Sequence, residues 1–120
     1  MNAENNTQTI NIGILGFGTV GQGTWKHLEE NDKFWAKILG VELIPRRASV
    51  RSIEKARKVK ISDSALTTDS LSIVDDPEID LICELIGGIE EAKNLTLHAF
   101  EKGKSVVTDD DDNDSTVSLT

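Results

Sequence analysis

A chain of 120 residues, 38% apolar and 4% aromatic, is long enough to bury one core and short for a multi-domain enzyme. Its formal charge of −8 is unevenly held: Asp109, Asp110, Asp111, Asp112 and Asp114 are five of the 21 acids, and removing them leaves 16 acids against 13 bases. No apolar run approaches the 18 or so residues that span a membrane, and the lone Cys83 excludes an intrachain disulfide framework or a cysteine-built metal site.

Met1 to Thr9 are polar and lack the basic start of a secretory signal, so residues 1–9 read as a disordered leader. Cys83 lies in an apolar run and reads as a buried thiol in a reducing, cytoplasmic setting. From Ile10 the chain changes character. Ile10, Ile12, Ile14 and Leu15 form an apolar strand that runs into Gly16-Phe17-Gly18-Thr19-Val20-Gly21, and a helical pattern follows. A strand, a tight glycine turn and a helix in that order point to a dinucleotide site. Gly16 lets the backbone leave the strand, Gly18 removes the side chain that would hold a pyrophosphate away, and Gly21 lets the helix lie close to the strand. The N–H groups of the first helical turn then face the phosphates, favoured by the helix dipole.

The helical pattern runs from Thr19 to about Leu39, with Val20, Thr24, Leu28, Trp35, Ile38 and Leu39 near one face. Asn31-Asp32 is a natural break, and Gly40 is placed as a C-cap. His27 has no acid or second histidine at a useful spacing and reads as a solvated helix residue. The next strand is interrupted by Pro45, so its continuous part is expected from Arg47 to Arg51. At the end of this strand an acid would bind the ribose hydroxyls of NAD, and an arginine would take the extra phosphate of NADP. Arg51-Ser52 stands there. Seven of the 13 bases lie between Arg46 and Lys60 against the one acid Glu54, which makes a phosphate-friendly rim with Arg51 first and Arg46 or Arg47 as alternates. The patch is short and lacks interleaved aromatics, so nucleic acid is not the expected partner.

Ile53 to Lys58 has room for a helical turn or two, Ala65 to Thr68 for a short strand, and Ser70 to Val74 for one helical turn. Ile79 to Ile86 is apolar almost throughout, as in a strand covered on both faces. Gly87-Gly88 ends it at the carboxyl edge, where ligands sit in open α/β sheets. Glu84, inside that run, is either a structural carboxylate held by backbone donors or a group pointing at that edge. Ala92, Leu95, Thr96, Ala99 and Phe100 repeat at helical spacing, Gly103 stops that helix, and Ser105 to Thr108 forms a last strand. The alternation implies an α/β fold: a Rossmann-like, mostly parallel sheet of about five strands with helices on both faces. Residues 109–120 have little apolar surface to bury and read as an acidic disordered tail. With that tail after it, the strand Ser105 to Thr108 is expected to be a sheet edge open to weak self-association.

These segments together resemble the N-terminal nucleotide-binding domain of homoserine dehydrogenase. The likeness is carried by Ile12 to Gly23, Val50-Arg51, Leu66 to Asp69, Asp76 to Asp80, Glu84 to Glu90 and Ala99 to Thr108, in the family's order. The glycine turn is shared with many dehydrogenases; joined to Glu84-Leu85-Ile86-Gly87-Gly88-Ile89-Glu90 it is specific. The resemblance implies hydride transfer from NADPH or NADH to aspartate 4-semialdehyde, giving homoserine, in threonine and methionine biosynthesis. It implies that Gly16, Gly18, Gly21, Phe17, Thr19 and Val20 line the pyrophosphate and Arg51 the adenosine end. It implies too that Ile86, Gly87, Gly88 and Thr108 lie towards the nicotinamide. The cofactor implied is NADP, with NAD as the alternative; the domain spans 10–108.

Two departures stand out. The family's strand continues into Ala-Asn-Lys-Ala, whereas Thr108 is followed by aspartates, and Asp111 stands where the lysine would be. The family's dimerisation and substrate region, with its catalytic residues, has no counterpart in these 120 residues, so no catalytic residue and no metal ligand is expected among them. The reading is therefore a cofactor-binding domain inactive alone, a monomer or a weakly self-associating one. A cofactor-sensing or interaction module, and a non-functional remnant, are the alternatives.

Overall fold

β1 (Gln8–Leu15) is the middle of a sheet because both of its long edges are taken. It pairs in parallel with β2 (Val41–Ser49) on one side and with β4 (Leu81–Glu84) on the other. β3 (Leu66–Thr67) lies beyond β2 and β5 (Ser105–Asp109) beyond β4, both parallel; β6 (Ser115–Ser118) closes the far side antiparallel to β5. The order is β3-β2-β1-β4-β5-β6. The computed structural model describes residues 8–53, 60–86, 89–109 and 115–118. The leader residues 1–7, the helical turns expected between Glu54 and Lys58, Gly87-Gly88 and Asp110 to Asp114 lie outside the described residues.

The five parallel strands and the helices on both faces agree with the α/β reading. One face is covered by α1 (Thr19–Glu30), whose Trp25 and Leu28 pack with Ile12, Ile14, Phe17, Ala48 and Val50. The other face is covered by α3 (Ser70–Val74) and α4 (Ile89–Glu101), whose Ile73, Val74, Leu95 and Ala99 pack with Leu15, Ile79, Ile82 and Val106. Side chains such as Ile14, Leu15, Ile73 and Ile82 are wholly buried. Each is worth about 1.5–3 kcal/mol of transfer from water. Gly13 belongs to this packing: an added Cβ would run into Ile73, so α3 sits on the strand only where β1 has no side chain.

The helical pattern divides at the expected Asn31-Asp32 break into α1 and α2 (Asp32–Leu39), and Asn31 bonds back to the His27 carbonyl through both its N–H and its side-chain amide. The apolar face is therefore not continuous: Leu28 is buried, while Ile38 and Leu39 are exposed. Gly40 caps α2 at a φ of 73°, and His27 is exposed, bonded to the Trp35 indole at 3.2 Å.

β2 starts at Val41 and includes Pro45, against expectation. Two features admit the proline. Opposite Ile12 and Gly13 the register skips from Pro45 to Arg47, a bulge that leaves Arg46 over. β3 covers β2 only at Ala48 and Ser49, so at Pro45 the strand has an open edge with no ladder bond to lose. β4 is shorter than its apolar run: Ile79 N–H is still held in the preceding turn by the Asp76 carbonyl, and Ile86 N–H is turned to the Glu84 carboxylate.

The expected disorder at the ends is corrected where the chain is described. Gln8 and Thr9 belong to β1, Asp109 to β5, and Ser115 to Ser118 to β6. β5 is accordingly not an edge. β6 runs along Val106 to Asp109, with the β-branched Thr116 and Val117 opposite Thr108 and Val107. At the opposite end of the sheet the junctions are pinned by side chains: His98 Nε2 of α4 lies 2.7 Å from Asp75 Oδ1, and this contact holds the Asp75 carboxyl below its usual range. Burial pushes the Cys83 thiol up to about 11, as expected of an inert cysteine.

Candidate functional site

Parallel pairing puts one residue of each strand on a single transverse row: Thr67, Ser49, Leu15, Glu84 and Thr108. Beyond this row the chain leaves the sheet, and nearly all the candidate residues of the sequence reading that fall on described positions stand just past it. β1 and β4 continue in opposite directions of connection, so the crevice between them is the switch point where open α/β sheets bind ligands. At about 4.8 Å per strand, Ser49 and Thr108 are roughly 14 Å apart across it.

The glycine turn is built from its neighbours. Gly16 has a φ of 96°, and a Cβ there would stand 2.9 Å from the Leu85 carbonyl. The turn is strapped to β2: the N–H groups of Gly16 and Phe17 both donate to the Ser49 carbonyl, at 3.2 and 2.9 Å, and Gly16 N–H also reaches Ser49 Oγ at 3.2 Å. Ser49 Oγ in turn accepts from Ser70 Oγ at 2.7 Å. On the other side Leu85 N–H donates to the Leu15 carbonyl at 2.8 Å, tying the end of β4 to the same turn. A Cβ on Gly21 would run into the Gly16 carbonyl, so α1 meets the turn through backbone alone.

Gly18 is different. Its backbone angles, φ −82° and ψ −154°, suit any residue, and an added Cβ would meet none of the described residues within 4 Å. Nothing among the described residues requires glycine there; the side chain it lacks would project over the start of α1. Gln22 N–H makes the first helical bond, to the Gly18 carbonyl at 2.8 Å, so the N–H groups of Thr19, Val20 and Gly21 stand ahead of the helical ladder. No side chain caps this end. An anionic group fits both features, the open cradle and the uncapped donors.

Phe17 sits differently from the expected lining residue. Its ring is buried under the turn, edge-on to Trp25 at 5.8 Å between centroids, its N–H is spent on Ser49, and its carbonyl accepts from Gln22 Nε2. It anchors the turn. Arg51 lies just past the end of β2, exposed, with no bond or ion pair among the described residues. The alternates are committed elsewhere: Arg46 donates to Asn11 Oδ1 at 2.8 Å, and Arg47 pairs with Asp76 at 3.2 Å and with the Ser72 carbonyl.

At the β4 side the Glu84 carboxylate is fully buried. Its Oε2 accepts from Ile86 N–H at 2.8 Å and its Oε1 from Thr108 Oγ1 at 2.9 Å. It is thus the structural carboxylate of the sequence reading, and it stands at the functional edge as well. Ser49 carries no signal in the sequence; only the parallel register shows that its carbonyl meets the turn.

An open polar hollow of about 740 Å³ lies at the opposite, amino edge of the sheet, floored by Asn11, Arg46, Arg47, Asp76 and Asp80. Its groups are bonded to one another, Asn11 N–H to Asp80 among them. We place the functional site at the carboxyl edge, where donors stand open. Among the described residues no group of His, Cys, Asp or Glu side chains is arranged to hold a metal, and no helix is long and apolar enough to cross a membrane.

The family model described as the NAD-binding domain of homoserine dehydrogenase matches residues 16–111. A homoserine dehydrogenase of Methylobacillus glycogenes is 44% identical over 99 residues, which cover 82% of this chain and 24% of that protein. Among solved structures, homoserine dehydrogenase from Thiobacillus denitrificans superposes with a TM-score of 0.76 at 44% identity, covering 84% of this chain and 23% of that one. The S. aureus enzyme at pH 6.0 gives 0.79 at 34% identity, covering 88% and 27%. The chain spans about a quarter of the length of these relatives.

Proposed function

The chain belongs to the homoserine dehydrogenase family, as its NAD-binding domain, and on that premise we propose that it binds NADP(H) along the carboxyl edge of the sheet. Thr19, Val20 and Gly21 donate their backbone N–H groups to the pyrophosphate above Gly18; Gly16 and Phe17 shape the turn without donating to it. Arg51 takes the adenosine-side phosphate. Ile86 and Thr108 border the nicotinamide end. The observation that carries the reading is Gly18, a glycine with ordinary backbone angles and nothing among the described residues for a Cβ to strike.

When bound, the cofactor supplies a hydride. The reaction of the whole protein is proposed to be the reduction of aspartate 4-semialdehyde to homoserine, in a cytoplasmic amino-acid biosynthetic setting. The 120 residues themselves hold, orient and partly dry one end of that reaction, and are expected to bind cofactor without turnover. Detectable reduction of aspartate semialdehyde by the purified chain would overturn the second part.

Cofactor preference follows from charge. Arg51 stands free at the end of β2, no acid among the described residues pairs with it, and a guanidinium matches a phosphate with two parallel bonds. Arg51→Asp replaces that with an acceptor for ribose hydroxyls. The ratio of NADPH to NADH affinity, by fluorescence titration, is expected to fall by about tenfold or more, since hydrogen bonds to charged groups are worth about 1.5–3 kcal/mol. An unchanged ratio removes Arg51 from the site.

A further inference from the structure

Glu84 is the one acid among the fully buried large side chains of the described residues, and it sits at the end of β4 where the crevice opens. Parallel pairing sets it beside Thr108 of β5 and beside Leu15 of β1. By the two-residue period of a strand it shares a face with Ile82, the face that α4 covers. α4 runs back antiparallel to the strands, so its first turn lies at the same end of the sheet as Glu84. A carboxylate is wholly removed from water here only because its oxygens are satisfied. Each oxygen has a different donor: Ile86 N–H at 2.8 Å and Thr108 Oγ1 at 2.9 Å.

The second of these bonds has a chemical consequence. A threonine hydroxyl has one hydrogen and two lone pairs. With its hydrogen given to Glu84, Thr108 has only acceptor capacity left, and the residue is partly open at the crevice. The first bond fixes the chain just after β4, at Leu85 and Ile86, next to the Gly16 turn that Leu85 touches. One buried carboxylate therefore joins the two strand ends that border the far end of the crevice from Arg51.

We propose that Glu84 is a positioning residue of the cofactor site: it turns the Thr108 hydroxyl into an acceptor, so that this end of the crevice selects a hydrogen-bond donor such as the N–H₂ of a nicotinamide carboxamide. The inference rests on the nucleotide-site reading above and deepens it. It assigns a polarity to Thr108 and names the group that sets it.

Glu84→Gln tests this with little change of shape. An amide has one acceptor oxygen where the carboxylate has two, so either Ile86 N–H or the Thr108 hydroxyl loses its acceptor. Thr108→Val removes the hydroxyl and keeps the volume; Thr108→Ser keeps the hydroxyl. The probes are NADPH and 2′-phospho-ADP-ribose, which is the same molecule without its nicotinamide, titrated against the full 120-residue chain. Glu84→Gln and Thr108→Val are expected to weaken NADPH by about three- to tenfold, the size of one hydrogen bond, and to leave 2′-phospho-ADP-ribose unchanged. Thr108→Ser is expected to bind both probes as the parent does. Equal weakening of both probes, or no weakening of NADPH by Thr108→Val, overturns the proposal. If Glu84→Gln fails to fold, the Thr108 pair decides alone. If the parent chain binds neither probe, the cofactor-site reading falls first and this inference with it.

Discussion

Gly21→Ala is expected to cost about 1–3 kcal/mol or more of stability, the range for a side chain forced into a packed site. The added Cβ falls on the Gly16 carbonyl oxygen, which is backbone and held on every side. Gly16 and Phe17 are bonded to Ser49, and the Leu85 carbonyl lies within 2.9 Å of where a Gly16 Cβ would be. The turn has no direction in which to yield, so α1 must lift, uncovering Trp25 and Leu28. Urea denaturation should show a lower midpoint with an unchanged slope. A midpoint equal to the parent's would mean that α1 does not rest on the turn as described.

Lys104→Met is expected to cost about 2–4 kcal/mol, which is hydrogen bonding to a charged group lost and a carbonyl left bare, offset in part by no longer burying an ammonium. Lys104 is 6% exposed, and its Nζ donates to the carbonyls of Asp76 at 2.7 Å and Ile79 at 2.8 Å. Those carbonyls belong to the turn between α3 and β4. Asp76 has a second donor in Ile79 N–H, but no other donor to the Ile79 carbonyl is seen among the described residues. Methionine keeps the length and the apolar stem, so the change isolates the ammonium. Equal stability of the methionine variant would show that Lys104 contributes only packing.

What could be read from the chain and what could not divides along the range of the interaction. The β1–turn–α1 unit was legible because its pattern is local: an apolar run, Gly16 at a positive φ, and Gly21 against the Gly16 carbonyl. The ends of α2 and α4 were legible for the same reason, at Gly40 and Gly103. Pro45 misled because its tolerance depends on β3 being two residues long, which nothing near Pro45 records. Lys104 looks like an ordinary basic residue after a helix; its acceptors lie 25 and 28 positions upstream. Arg46 and Arg47 were candidates on charge alone, and only the fold turns them to Asn11 and Asp76. Ser49 needed the register with β1 before its role at the glycine turn could be seen. β6 was hidden by the aspartates before it, whose composition outweighed the two β-branched residues Thr116 and Val117.

The central claim is that the carboxyl edge of this sheet holds a dinucleotide at the glycine turn. Gly18→Ala tests it most directly, because the substitution meets nothing among the described residues and is aimed at what would lie above it. Thermal unfolding of parent and variant should coincide without ligand. NADPH at about a hundredfold excess over its Kd should stabilise the parent by about 2.7 kcal/mol. The same concentration should raise the variant's melting temperature by clearly less, its affinity having fallen about tenfold with the loss of close phosphate contact. An equal rise in both proteins, or no rise in the parent, would contradict the account.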